Sequence, residues 1–194
     1  MSTFKSVIGI DLGLKKIACC TASEGRLRFH VLELPEDTNG AARHAVLLWR
    51  AARAVQNVVR DAKPPVSVWV EAHGYGIQHG NTEKDLAELH GAVKAALYAQ
   101  QETPGLAAAG SHNLTFAFVS AGEARKMVLG RGAAPKGQKT KEWVRAEAAR
   151  LGARINDGLS HDEVDALIVA DFGAMQVGYG GVLQRPWSIV RVQA

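Results

Sequence analysis

The stretch VIGIDLG, residues 7–13, places one aspartate, Asp11, within a run of Val and Ile that is typical of a buried strand. Removing an unpaired carboxylate from water is costly, so such a group has a partner, binds a cation or is protonated. Side chains alternate along a strand, which puts Val7, Gly9 and Asp11 on one face. The rest of the sequence therefore has to supply what stabilises Asp11.

Further strand and helix patterns follow along the chain. Short segments rich in Val, Ile, Thr and aromatic residues, bounded by turn residues, predict strands at 5–12, 17–23, 26–34, 64–73 and 114–121. Apolar residues at helical spacing predict helices within 39–62, 83–101, 122–129, 141–153 and 160–176. This order predicts an α/β fold with a mixed five-stranded sheet, in which three antiparallel strands precede two parallel ones and helices flank both faces. We expect one domain over 1–194, with its core at about 5–175 and an unassigned tail at 177–194.

The composition is that of an ordinary globular protein, with 47% hydrophobic and 22% charged residues in a chain of 194. A formal net charge of +4 is compatible with a phosphate-rich partner. Cys19 and Cys20 are adjacent and point to opposite faces of a strand, and the Cys spacing of a metal site is missing. No apolar stretch is long enough to cross a bilayer and no leader pattern is present, so we expect a cytoplasmic protein without membrane contact.

Three further carboxylates are placed to join Asp11. Glu71 lies at the C-terminal end of the fourth predicted strand, and ligands of parallel α/β sheets bind at that edge. Ser160, with a glutamate three residues later, matches a capping box and places a helix start there. Asp162 and Asp165 then share one face of the first turns. If this helix docks on the sheet, we expect the four carboxylates to converge on one site.

Such a cluster needs positive charge, because four neighbouring carboxylates cannot all ionise without it. Mg²⁺ favours carboxylate oxygens, and two such ions about 4 Å apart can clamp the attacking and leaving oxygens of a phosphoryl transfer. Taken singly, each residue has an ordinary alternative. A strand aspartate is often held by backbone donors or a lysine, a glutamate at a strand end is often solvated, and aspartates in a first helical turn favour the helix dipole.

The ordered motifs IGIDLG, VEAHGYG, LAELHGAVKAAL and SHDEVDALIVA resemble those of the RuvC-type Holliday junction resolvases, in the RNase H-like superfamily. The resemblance implies an RNase H-like fold and a homodimer that cuts four-way DNA junctions with two Mg²⁺ or Mn²⁺ ions per active site, leaving 5′-phosphate and 3′-hydroxyl ends. It implies that the catalytic and metal-binding residues are Asp11, Glu71, Asp162 and Asp165.

Basic and aromatic residues are candidates for DNA binding. Lys15 follows the strand of Asp11, and Tyr75 lies on a glycine-rich loop where it could stack on an unpaired base. The family has an aromatic shortly after its glutamate, but here the third residue after Glu71 is Gly74, and Tyr75 is one further on. The segment after the fifth strand is strongly basic and suits phosphate contacts. Its candidates are Lys126, Arg131, Lys136, Lys139 and Lys141.

Other functions remain open at this level. IGIDLG also resembles the phosphate-binding motif of actin-like ATPases and sugar kinases, but a second such motif is missing and 194 residues are too few for two halves, so we expect no nucleotide cofactor. A nuclease of the same fold could instead cut flaps, forks or RNA–DNA hybrids. A domain that binds branched DNA without cutting it is the alternative of a different class.

Overall fold

A computed structural model describes residues 4–34, 41–72, 80–102, 114–152, 158–183 and 187–193. Its strands are β1 (Ser6–Leu12), β2 (Lys16–Ser23), β3 (Arg26–Glu33), β4 (Val66–Ala72), β5 (Leu114–Ser120) and β6 (Ser188–Gln193). Its helices are α1 (Ala41–Arg60), α2 (Gly80–Glu102), α3 (Ala121–Leu129), α4 (Thr140–Arg150) and α5 (His161–Gln176). No helix in these ranges is both long and apolar enough to span a bilayer.

All strands belong to one mixed sheet with the order β5-β4-β1-β2-β3-β6. The pairs β1–β2 and β2–β3 are antiparallel, while β4 is parallel to β1 and β5 is parallel to β4. Glu24 and Gly25 form the tight turn between β2 and β3, both with positive φ as a two-residue hairpin turn requires. These pairings confirm the predicted α/β fold and the order of its first five strands.

The expectation of five strands is wrong, because the tail supplies a sixth. The strand β6 runs parallel to β3 and continues the sheet beyond it. Its segment SIVRVQ contains β-branched residues but interrupts the apolar/polar alternation at the adjacent Ile189 and Val190, and Arg191 donates to the buried Glu163 carboxylate of α5 at 3.2 Å. The tail is attached by pairing with an otherwise open sheet edge and by this ion pair, in which Glu163 is buried and Arg191 is exposed. Local sequence did not indicate either contact.

Helices cover both faces of the sheet, as predicted. The helices α1 and α2 pack on one face, and α3, α4 and α5 pack on the other, each with its own apolar core. The adjacent cysteines lie on opposite faces of the sheet: Cys19 belongs to the core under α1 and Cys20 to the core under α5. Both thiols are free and buried, which agrees with the interpretation of these residues as small core side chains.

The central helix α5 lies directly against the middle of the sheet. A Cβ on Gly9 would be 2.7 Å from the Cα of Ala170 and still closer to neighbouring backbone atoms of α5, so only glycine permits this approach. Gly173 in turn leaves room for the Trp69 ring, which meets Phe172 edge-on with centroids 5.2 Å apart. The contacts at Gly9 and Gly173 set the distance between α5 and the strands β1 and β4, and therefore the position of the carboxylates on α5.

Candidate active site

Two of the predicted carboxylates lie side by side on neighbouring strands. The parallel pairing of β1 and β4 runs up to Ile10 opposite Val70. Asp11 and Glu71 are the next residues on each strand, at the C-terminal edge of the sheet, and both are half-buried. Each shares the sheet face covered by α5, because Gly9 and Trp69, two residues earlier on each strand, contact that helix.

The other two carboxylates come from the start of α5. The predicted capping box is confirmed, since the Ser160 hydroxyl accepts from the Glu163 amide at 3.2 Å and the Glu163 carboxylate accepts from the Ser160 amide at 2.6 Å. This fixes the first turn, in which Asp162 is partly exposed and Asp165 is buried. The helix thereby brings both aspartates within electrostatic range of Asp11.

Two cations neutralise the carboxylates of α5. The guanidinium of Arg125 on α3 lies 3.2 Å from Asp165, and the ammonium of Lys141 at the start of α4 lies 3.0 Å from Asp162. The Arg125 pair is largely buried, whereas Lys141 is mostly exposed. Sequence reasoning missed Arg125 and selected its neighbour Lys126, which is exposed. Ala124 and Leu129 are the buried residues of α3. The face of α3 that they define is what distinguishes Arg125, which reaches Asp165, from the exposed Lys126.

Asp11 and Glu71 make no ion pair with a described residue. Burial is the first cause that raises the pKa of Asp11, from 3.8 to about 8, and the charges of Glu71, Asp165 and Asp162 raise it further while Lys141 opposes them. Burial followed by Asp165 raises the pKa of Glu71 to about 7. Without added positive charge, both groups hold their protons close to neutral pH.

The pKa of Asp165 is subject to opposing effects. Burial raises its pKa above the ordinary value, and the nearby Arg125 and Lys141 lower it. The hydrogen bond from Lys141 to Asp162 raises the pKa of the lysine, which keeps that ammonium charged. The site therefore combines four carboxylates with two cations, and it has a deficit of positive charge at the sheet edge.

A hard divalent cation fits this donor set in its chemistry. All four side chains offer carboxylate oxygens, and the raised pKa values of Asp11 and Glu71 are what a cation site shows when positive charge is missing. In their present arrangement, no three His, Cys, Asp or Glu side chains among the described residues stand close enough to hold a metal ion jointly. The aspartates of α5 are turned to Arg125 and Lys141, so binding a cation requires side-chain rotation at the start of α5.

The predicted DNA-binding residues within the described ranges lie at exposed positions. Lys15 lies in the turn after β1 and Lys126 on α3, whereas Arg131, Lys136 and Lys139 follow α3 in a segment without regular structure that leads into α4. Lys141 is the second residue of α4, and its side chain is exposed as well. Lys139 pairs with Glu142 at 3.4 Å. Tyr75 lies outside the described residues.

No protein-family model and no curated protein matches this sequence. Solved structures match its fold. The Thermus thermophilus RuvC structure gives a TM-score of 0.58 at 19% identity, covering 91% of this chain and 98% of that chain. T. thermophilus RuvC in complex with Holliday junction substrate gives 0.57 at 17% identity, with the same shares covered. The chain therefore has the RNase H-like fold of the RuvC Holliday junction resolvases over nearly its whole length.

Proposed function

We propose that this protein is a metal-dependent endonuclease that cuts branched DNA, with four-way junctions as the preferred substrate. The observation that carries the proposal is the convergence of four carboxylates, two of them with pKa values raised to about 7 and about 8, at the sheet edge of a RuvC-like fold. Phosphodiester cleavage is a reaction for which such a cluster is suited. The similar RuvC structure with a Holliday junction substrate supports branched DNA as the substrate class.

In this proposal Asp11, Glu71, Asp162 and Asp165 hold Mg²⁺ or Mn²⁺, two ions in each site. Bound there, the cations would lower the pKa of a water molecule and neutralise charge on the scissile phosphate. Asp11 and Glu71 have to release their protons first, so we expect cation binding to strengthen as pH rises through about 7 to 8. Arg125 and Lys141 would exchange their carboxylate partners for phosphate oxygens of the DNA.

In this proposal the exposed basic segment at 131–141 positions the DNA. Lys136, Lys139 and Lys141 carry ammonium groups on long side chains, which neutralise phosphates without reading sequence. Substituting all three by Ala should weaken junction binding and flatten its salt dependence, with a change in slope of about 0.9 for each phosphate that is no longer neutralised. An unchanged slope would show that these lysines are only solvated.

The proposed enzyme acts as a homodimer, because a symmetric junction presents two equivalent strands to a two-fold protein. Light scattering with and without a synthetic four-way junction tests this. A mass of one chain under both conditions would contradict it.

Cleavage assays on labelled four-way, flap, fork and RNA–DNA hybrid substrates, each with Mg²⁺ or Mn²⁺, test the activity directly. Asp11→Asn and Asp165→Asn should abolish cutting and largely preserve junction binding, whereas Glu147→Gln on the distal part of α4 should change neither cutting nor binding. Titration calorimetry with Mn²⁺ alone should show weaker binding for the two aspartate variants. Strands that stay intact with every substrate would mean that the protein binds branched DNA without cutting it.

A further inference from the structure

A concave site lies on the sheet face opposite the carboxylate cluster. The helix α1 forms one wall, β2 and β3 form the floor, and β6 forms the far side of an open cavity of about 470 Å³. This volume is in the range of sites for small organic groups. The residues that matter here are His30, Trp49, Arg50, Arg53, Asn57 and Asp61. We refer to this cavity as the α1 groove.

An exposed aromatic ring stands at the mouth of the α1 groove. The Trp49 side chain is 63% exposed, whereas Trp143 and Trp187 are almost fully buried. The guanidinium of Arg53 lies 6.0 Å from the centroid of the Trp49 ring, a cation–π contact that orients the indole. A large, oriented and solvent-exposed ring is a stacking platform for another flat group.

The charge around this ring favours an anionic ligand. Arg50 and Arg53 are neighbours on the same side of α1, and Arg28 shares a sheet face with His30 on β3. The acid of the groove, Asp61, is engaged by Arg60 at 3.5 Å. The groove therefore joins an aromatic platform to an excess of guanidinium groups, which suit phosphate oxygens.

The interior of the groove favours a nucleobase over an aliphatic side chain. Apolar atoms of Ile17 and Leu32 on the floor and of Val58 on the α1 wall suit the face of a ring. Asn57 adds an amide that can pair with the edge of a base. An aliphatic peptide side chain would leave that amide without a partner, which costs affinity.

We propose that the α1 groove binds one unpaired nucleotide of a DNA strand, with its base stacked on Trp49 and its flanking phosphates on Arg50 and Arg53. The inference depends on the proposed function only in taking DNA as the polymer. Because the sheet separates the groove from the carboxylate cluster, the nucleotide held in the groove is not the one placed for cutting. The groove would retain a displaced strand of a branched substrate.

Binding of a fluorescein-labelled short oligothymidylate, measured by anisotropy in chelator, tests this. Stacking contributes about 1–3 kcal/mol per base, so Trp49→Ala should weaken binding about 5- to 150-fold, while Trp49→Phe should retain most of it. Arg50→Ala and Arg53→Ala should each lower the salt slope by about 0.7. The oligonucleotide should also quench tryptophan fluorescence in the wild type and much less in Trp49→Phe.

Tyr98→Ala is the matched control. Tyr98 is also an exposed aromatic with a cation over its ring, Lys94 at 6.0 Å, but it lies on α2 outside the groove. Affinity unchanged in a folded Trp49→Ala variant, or an equal loss in Tyr98→Ala, would overturn the proposal. So would equally tight binding of a polyglutamate peptide, or displacement of the oligonucleotide by ATP at a lower concentration than by unlabelled oligonucleotide.

The groove and the nuclease function can fail independently. If the wild type leaves junctions intact but still binds the oligonucleotide in a Trp49-dependent way, the groove stands and the proposed nuclease function is wrong. If junctions are cut while Trp49→Ala binds the oligonucleotide as the wild type does, the nuclease function stands and the groove proposal is wrong.

Discussion

Replacing Asp11 by Asn should make the metal-free protein more stable at neutral and alkaline pH. Burial and three neighbouring carboxylates raise the pKa of Asp11 to about 8 in the folded protein, against 3.8 for the ordinary value. Below about pH 4 the residue is protonated in both states and contributes nothing. Between about pH 4 and pH 8 the unfolded chain ionises and the folded protein does not, so the free energy of unfolding falls as pH rises.

The size of this effect follows from the shift. Each pKa unit corresponds to about 1.4 kcal/mol, so the raised pKa of Asp11 lowers the free energy of unfolding by about 2 kcal/mol at pH 5 and by about 5 kcal/mol at pH 8. An amide at this position has other costs, but these do not depend on pH. We therefore expect the advantage of Asp11→Asn over the wild type to grow by about 3–4 kcal/mol between about pH 5 and pH 8.

Urea denaturation in chelator at a series of pH values measures this directly. Asp61→Asn, at a solvent-exposed aspartate away from the cluster, is the control and should follow the wild type at every pH. Mg²⁺ or Mn²⁺ should stabilise the wild type more than Asp11→Asn, because a cation removes the cost of ionising the carboxylate. If the difference between Asp11→Asn and the wild type does not change with pH, Asp11 lacks the environment described above.

Three further substitutions test other parts of the structure. Gly9→Ala would push α5 away from β1, and we expect a loss of about 3 kcal/mol or more in the free energy of unfolding by urea denaturation; a loss below about 1 kcal/mol would contradict the close contact. Arg125→Gln leaves Asp165 without its buried cation, so it should cost about 3 kcal/mol near pH 8; because burial raises the pKa of Asp165 and the loss of Arg125 raises it further, the cost should decrease as pH is lowered and the carboxyl takes up a proton, and a loss that does not change with pH would refute this. Asp171→Ala removes the acceptor for the amides of Val182 and Leu183, which should cost about 1–3 kcal/mol and speed hydrogen exchange of those two amides; unchanged exchange would exclude this role.

The strands and helices that carry the carboxylates could be predicted because their signals are local. The Val- and Ile-rich run around Asp11 marks a strand by composition, and the Ser160 capping box marks the start of α5 to the residue. The pairing of β1 with β4 was an assumption from the usual geometry of parallel sheets, and the structure confirms it. These three features were enough to anticipate that Glu71 and the aspartates of α5 come within electrostatic range of Asp11.

What could not be predicted depends on contacts between distant segments. The strand β6 follows a stretch rich in glycine, and its partner β3 lies at the other end of the sequence, so local patterns gave no reason to extend the sheet. Arg125 and Lys126 are equivalent in composition, and only the rotation of α3 against α5 decides which one reaches Asp165. The α1 groove likewise depends on β6, whose Val192 forms part of its lining.

The central place of β1 in the sheet has a consequence for the time at which the candidate site is completed. Asp11 emerges from a ribosome well before α5, which follows nearly all the other described elements. At typical rates of translation the interval is on the order of ten seconds. A chain released before α5 begins carries Asp11 and Glu71 but lacks Asp162 and Asp165, so the order of synthesis keeps the candidate site incomplete in such truncated products.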